Sequence, residues 1–433
     1  MSQFFDEKME TMPEGEMKKF QLEKLKETLQ WVYDRVPFYK SEFDRMGLKA
    51  SSLTKLEDLA NFPFTIKNDL RDNYPFGLCA VPMADIVRIH ASSGTTGKPI
   101  TGPYTMEDLE QWTDCMARTF WAAGVRPNDI FQNAYGYGLF TGGLGFHQGA
   151  LRLGCAIVPT SSGLTERQVM LMQDFGSTVL GSTPTYALTI AERAQRMGID
   201  VRKLPLRVGS FGAEPWSVEM RNEIEERMGI AAHEAYGLTE LMGPGVAFTC
   251  EYRKLHMNED HVYAEIIDPE TEQPVPMGET GEMVLTSLQR RAMPMIRYRT
   301  KDITRLVREK CECGRTLIQM EKVTGRDDDM LIITGVNVFP SQVESVLMEF
   351  KEIEPHYLIR VRKKGYLDVM AVEVEARREV YDAGQKRLED LGKQVSARVQ
   401  QIIGINVPVM IVPYDTIPRS EGKAKRIIDE RNA

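Results

Sequence analysis

Leu22, Leu25, Leu29, Val32 and Val36 recur at three- and four-residue intervals through FQLEKLKETLQWVYDRV, the period of a helix with one buried face. The proline of the following PFY predicts the end of that helix, which packs at the start of the fold. From there to about residue 240 the pattern alternates. Short apolar runs (DIVRIHA, DIFQNAY, CAIVP, TVLGS, LRVGSFGA, AAHEAYG) predict strands, and TMEDLEQWTDCMARTFWAAG and TERQVMLMQDFG predict helices between them. Thr105 with Asp108, and Thr165 with Gln168, have the spacing of a capping box. This alternation predicts an α/β fold built on a doubly wound, mainly parallel sheet.

After residue 250 the period shortens. HVYAEIIDPETEQPVPMGETGEMVLTSL reads as short strands joined by turns, a small antiparallel β subdomain spanning 250–325. The charged VTGRDDDMLII marks a boundary. Beyond it, a helix (PSQVESVLMEF), paired strands (HYLIRVRKK, LDVMAVEVEA), another helix and VPVMIVP suffice for a separate small α+β domain. The expected division is therefore a large N-terminal domain over 1–327 and a C-terminal domain over 328–433.

Charge narrows the partners. The 433 residues carry a net charge of -8, which argues against nucleic acid or an anionic membrane as the main partner. The acidic start lacks the basic and apolar regions of a signal peptide, and no window has the length of a membrane span, so the expected location is the cytoplasm. Six cysteines in so long a chain are no disulfide framework. Cys79, Cys115 and Cys155 lie in apolar runs and read as core fillers. Cys311 and Cys313 form a Cys-x-Cys turn, with Cys250 and His256 upstream, and three thiolates plus an imidazole suit a closed tetrahedral Zn²⁺ site. Free thiols at a turn are the alternative, and His261 is an equally available histidine.

SSGTTGKP, residues 92–99, follows the DIVRIHA strand with hydroxyls, glycines and one lysine, the means of holding a phosphate by backbone N–H groups, side-chain donors and a cation. Only two residues separate Gly94 from Gly97, and Pro99 follows Lys98, so it is no Walker A loop.

With GSFGAEPWS, AYGLTE, RYRTKD, TGRDDDM and PRSEGKAKR, taken in order, this segment resembles the adenylate-forming superfamily of acyl-CoA synthetases, luciferases and peptide-synthetase adenylation domains. YGYGLFTGGLG, GAEPWS, RYRT and DDMLIITGVNVFPSQVE resemble its phenylacetate-CoA ligase branch. The resemblance implies an enzyme that joins a carboxylate to ATP, releasing pyrophosphate, and then passes the acyl group of acyl-AMP to coenzyme A. It implies that Ser92, Ser93, Gly94, Thr95, Thr96, Gly97 and Lys98 hold the β and γ phosphates and that Glu240, beside Thr239, holds Mg²⁺. Gly212, Ala213, Glu214 and Pro215 would form one side of an adenine slot, with Ala235, Tyr236 and Gly237 the other. Asp302 would bind the ribose and Arg326 the ribose or phosphate. Lys423 would stabilise the attacking carboxylate and α-phosphate. The C-terminal domain would rotate about Asp328 between steps, with Gly335, Val336 and Asn337 lining the path of coenzyme A. Tyr135, Tyr137, Phe140 and Ala213 would pack an aromatic acid. Two other readings stay open: loading of the acid onto a separate carrier protein, and a nucleotide sensor without catalysis. A homodimer is also left open.

Overall fold

The computed structural model describes residues 3–92, 99–326, 330–333, 336–364 and 367–431. Its largest sheet has nine strands. Five run parallel: Ala156–Val158, Ile130–Asn133, Val179–Ser182, Val208–Phe211 and Ala231–Leu238, in that spatial order. Helices Met106–Ala122, Thr141–Arg152, Thr165–Asp174, Pro184–Arg196 and Val218–Met228 cover them, because every parallel strand must bury both faces. The strands beyond residue 240 divide. Gly243–Thr249, Leu255–Met257, Gln319–Met320 and Leu306–Val307 extend the nine-stranded sheet in antiparallel sense. Val262–Ile267, Gly281–Ser287, Tyr298–Thr304 and Gly325–Arg326 form a second, antiparallel sheet of four strands. Leu25, Leu29, Val32 and Val36 are fully buried in one apolar cluster with Met283 and Leu285 of that sheet, so the first long helix, Glu14–Arg35, is indeed a packing element.

Two local expectations need correction, whereas the first long helix ends at Arg35, before PFY, as its pattern predicts. Val36 turns extended, and Pro37 then opens a second helix, Pro37–Met46, because a first-turn proline has no N–H that needs a partner. Thr165 and Gln168 form no capping box: the cap position is Leu164, in the left-handed region, and the Gln168 amide is drawn to the Ser161 carbonyl at 2.6 Å. The DIVRIHA strand lies outside the parallel sheet. Arg88–Ala91 pairs antiparallel with Thr101–Tyr104, so the glycine-rich segment joins two arms of a ribbon. Thr105 and Asp108 do form the expected box, with N–H to oxygen distances of 2.9 and 3.1 Å.

The C-terminal lobe has its own core. A four-stranded sheet, ordered Val409–Val412, Leu367–Ala376, Ile353–Lys364, Ile427–Asp429, buries Ile359, Val361, Val372 and Val374 against Val343 and Leu347 of helix Pro340–Met348 and Leu391 and Val395 of helix Gln385–Ile403. Among the described residues, no helix is long and apolar enough to cross a membrane.

Candidate active site

Among the described residues, Gly212, Ala213, Glu214, Pro215, Ala235, Tyr236 and Gly237 of the predicted nucleotide set lie at the carboxyl ends of the parallel strands, where open α/β sheets bind ligands. Gly212 follows strand Val208–Phe211. A Cβ there would stand 2.3 Å from the Ala235 carbonyl oxygen, so the glycine is required by the approach of its own chain to the neighbouring strand. Ala213 is held at φ +74° and exposed, a left-handed residue in the loop after that strand. The Tyr236 hydroxyl donates to Asp302 Oδ2 at 2.5 Å, and Arg326 Nη1 donates to Asp302 Oδ1 at 3.1 Å. Asp302 and Arg326 face each other across paired strands, which fixes their spacing. Burial, together with the Asp302 carboxylate, pushes the Tyr236 hydroxyl well above its usual pKa and keeps it a donor.

Glu240 sits in the turn between strands Ala231–Leu238 and Gly243–Thr249, half-buried beside Tyr298. The same turn abuts the two-stranded ribbon: a Cβ on Gly102 would lie 3.3 Å from the Thr239 carbonyl oxygen. The Ser92 N–H donates to Ile100 O, and its hydroxyl accepts from the Ile100 N–H, both at 2.9 Å. Ser93, Gly94, Thr95, Thr96, Gly97 and Lys98, like Asp328 and Gly335, lie outside the described residues. Val336 and Asn337 form one arm of a short hairpin with Leu331–Ile333, ahead of Pro340 at the first position of its helix.

Glu214 and Pro215 part company. Pro215 is exposed in the loop, whereas Glu214 is a bridge: Oε1 accepts the Thr185 N–H at 2.8 Å and Oε2 accepts the Ala424 N–H at 2.9 Å. Thr183 Oγ1 donates to the Gly422 carbonyl at 3.1 Å, so Lys423 is flanked on both sides by contacts to the large lobe. Gly163, at φ +86°, leaves room for the Glu421 carboxylate, which a Cβ there would meet at 2.9 Å. Lys423 itself is exposed, with no hydrogen bond or ion pair to any described residue.

The aromatic candidates differ in standing. Tyr135 is buried, 4.5 Å from Phe146 ring to ring, and its hydroxyl donates to the Gly212 carbonyl at 3.3 Å, tying its segment to the loop after strand Val208–Phe211. Tyr137 is half-buried, its oxygen accepting from Asn133 Nδ2 at 2.7 Å and lying 3.1 Å from His147 Nδ1. Phe140 is 52 % exposed. Asn133 and His147 were not singled out from sequence: an amide in a strand and a helical histidine carry no motif.

Cys250, His256, Cys311 and Cys313 are all buried, with their ligand atoms within 4.8 Å of one another. Cys250 Sγ is 3.7 Å from Cys311 Sγ, and Cys313 Sγ is 3.4 Å from His256 Nε2. His256 Nδ1 lies 3.2 Å from the Leu317 carbonyl, the second contact that orients a metal-bound imidazole. Hydrogen bonds from Cys250 and His256 hold the Cys313 thiol far below its usual pKa. Burial lowers the His256 pKa, but its bonds to Cys311 and Cys313 outweigh that and push it up to about 9. His261 points elsewhere, 3.5 Å from Asp260.

The profile of the AMP-binding enzymes matches residues 16–289, and that of the AMP-binding enzyme C-terminal domain matches residues 335–431. The chain is an AMP-binding enzyme by fold and by site. It is 48 % identical over 429 residues to the phenylacetate-coenzyme A ligase of Pseudomonas putida, covering 98 % of this chain and 97 % of that one, and it belongs to the phenylacetate-coenzyme A ligase family. A crystal structure of 2-hydroxyisobutyryl-CoA ligase in its postadenylation state, with a bound acyl-AMP, superposes with a TM-score of 0.94 at 29 % identity, over 99 % of this chain and 93 % of that one. The same ligase with CoA in its thioesterification state gives 0.74 at 30 % identity, over 100 % and 93 %.

Proposed function

We propose that this protein is an AMP-forming aryl acid-CoA ligase with phenylacetate or a close aromatic relative as its acid. A carboxylate oxygen attacks the α-phosphorus of ATP. The new acyl–phosphate bond forms as the bond to the bridging oxygen breaks, and pyrophosphate leaves. The coenzyme A sulfur, its proton lost to solvent, then attacks the acyl carbon, and AMP leaves with the electron pair of the acyl–oxygen bond.

The observation that carries this reading is the docked lysine loop. Contacts at Gly422 and Ala424 hold position 423 against the carboxyl end of the parallel sheet, beyond which lies Glu240 and where Tyr236 reaches Asp302 of the antiparallel sheet. An exposed ammonium there, with no partner among the described residues, is available to a carboxylate and an α-phosphate, whose charges grow crowded as they join. Tyr236 and Arg326 orient Asp302 toward the ribose, and the turn at Glu240, which abuts Gly102 of the two-stranded ribbon, offers a carboxylate to Mg²⁺, which when bound neutralises phosphate charge. The buried cysteine and histidine cluster holds structural Zn²⁺, four ligands without an open position for chemistry.

Incubating the protein with ATP, Mg²⁺, coenzyme A and a panel of aromatic acids should yield AMP, pyrophosphate and the matching acyl-CoA, seen by mass spectrometry. Release of pyrophosphate without any acyl-CoA would turn the reading toward a carrier-protein acceptor, and no acid-dependent pyrophosphate from any member would end it.

A further inference from the structure

Lys423 reaches the large lobe through a loop whose root is an arginine shared between the two lobes. Arg419 Nε and Nη2 each donate to Glu192 of helix Pro184–Arg196, at 3.0 Å to Oε2 and Oε1. Its Nη1 and Nη2 donate to Glu375 of the C-terminal sheet at 2.9 Å, and Nη1 also donates to the Ile417 carbonyl at 2.9 Å. Glu375 is fully buried and further fixed by the Ile417 N–H at 2.7 Å, so Arg419 belongs structurally to the C-terminal lobe.

Glu192 is the large lobe's half of the contact. Its Oε1 accepts from Tyr414 Oη at 2.5 Å and from Arg196 Nη2 at 2.7 Å, and His356 Nε2 stands 3.3 Å from Oε2. Arg196 in turn donates to Asp415 at 2.9 and 3.0 Å. Burial alone would raise the Glu192 carboxyl, but His356, Arg419 and Tyr414 reverse this and hold it well below its usual pKa. Three groups of the small lobe thus converge on one carboxylate that is 6 % exposed. Thr189, one turn earlier on the same helix, lies 3.5 Å from the Ser420 carbonyl. A second seam between the lobes, Arg227 to Glu354 at 2.7 Å and Arg377 to Glu223 at 2.7 Å, leads into no part of the lysine loop.

We infer that Glu192 and Arg419 form a releasable clamp that positions the lysine loop for adenylation and must open before thioester formation, resting on the two-step reaction proposed above. The chain superposes on the postadenylation form of 2-hydroxyisobutyryl-CoA ligase at 0.94 and on the thioesterification form at 0.74, so the lobe arrangement in which the clamp is closed is that of the first. When the small lobe turns, Arg419 keeps Glu375 and Ile417 and leaves Glu192. An arginine with a second carboxylate in its own lobe loses less on release than one left unpaired, which is what a contact broken in each cycle requires. Neither residue touches the reacting atoms, and both act through Lys423.

The test separates the half-reactions in the full-length protein. Glu192→Gln keeps the side-chain size, and Glu192→Ala suits a helix, so both should fold. In each, acid-dependent ATP–pyrophosphate exchange should fall about 10- to 100-fold through kcat, as the docked population falls. The KM values for ATP and acid should hold. Conversion of supplied phenylacetyl-adenylate and coenzyme A to thioester should be unchanged or faster. Arg419→Lys, which keeps charge but loses the fork, should lie between wild type and Glu192→Ala. A parallel fall in both half-reactions, or no fall in exchange, would overturn the clamp. Energy transfer between dyes at Arg167 and Lys386, exposed positions on the two lobes, reads docking without turnover. Glu192→Ala should lower the docked fraction of the free protein, and an unaltered distribution overturns the clamp whatever acid the enzyme uses.

Discussion

The cysteine and histidine cluster and the lysine loop are both polar constellations drawn from distant parts of the chain, yet they are built in opposite ways. The cluster is sealed: Cys250, His256 and Cys313 are fully buried, Cys311 nearly so, and the second nitrogen of the imidazole is already engaged. The loop sits at a seam. Lys423 is exposed, and its neighbours are held by a hydrogen bond from the Thr183 hydroxyl to Gly422 and one from the Ala424 N–H to Glu214, each worth about 1 to 2 kcal/mol net. Groups that must persist are buried with all their ligands supplied by one lobe. In the proposed two-step reaction, the group that must be withdrawn is held by several modest bonds across two lobes, which would break together.

The widest separation should come from Lys423→Ala. Acid-dependent pyrophosphate exchange should fall about 1000-fold, since a cation aimed at developing charge is lost. Thioester formation from supplied acyl-adenylate should stay within about threefold, and the melting temperature should not move, because the side chain is exposed and bonds to no described residue. Equal losses in both steps would make the lysine a structural residue and erase the contrast.

Cys313→Ser should do the reverse. Elemental analysis of protein purified without chelator should find stoichiometric zinc in wild type and little in the variant. Stability should fall by about 3 kcal/mol, measured by denaturant titration, as a buried site loses a ligand. Both half-reactions should decline only with the folded fraction. A variant that loses one half-reaction while keeping its stability would show that the cluster serves catalysis after all.

The two constellations were not equally legible in the sequence. Cys311 and Cys313 are two residues apart, and that closeness announces a turn that binds something. His256 and His261 could not be ranked until strand Leu255–Met257 paired with Gln319–Met320, which turns His256 toward the cysteines and leaves His261 to Asp260. The lysine loop was visible as a motif, but its seat was not. Glu192 lies 227 residues from Arg419, in IAERAQR, which reads as one more amphipathic helix. Glu214 was placed by its motif in the adenine slot, and only the packing of the lobes shows its carboxylate holding Ala424. The parallel core was readable because apolar runs and helices alternate. The ribbon around residues 88–104 was not, since a four-residue apolar run has the same pattern in a parallel sheet and in a hairpin.

Asp302 tests the comparison from a third side, with the smallest expected effect. It is as buried as the cluster, yet it sits on the nucleotide face, fixed by its strand pairing with Arg326 and by the Tyr236 hydroxyl. Asp302 lies on a strand of the large lobe, and the ribose it is proposed to bind is present in both ATP and the acyl-adenylate. Asp302→Asn keeps the volume and one acceptor but turns an amide toward Arg326. The KM for ATP and the KM for supplied acyl-adenylate should therefore rise together, each about 10-fold, or about 1.4 kcal/mol, with kcat within about threefold in either half-reaction. A rise confined to ATP would mean that Asp302 works only while the lysine loop is docked, and would move it from the permanent part of the site to the part that comes and goes.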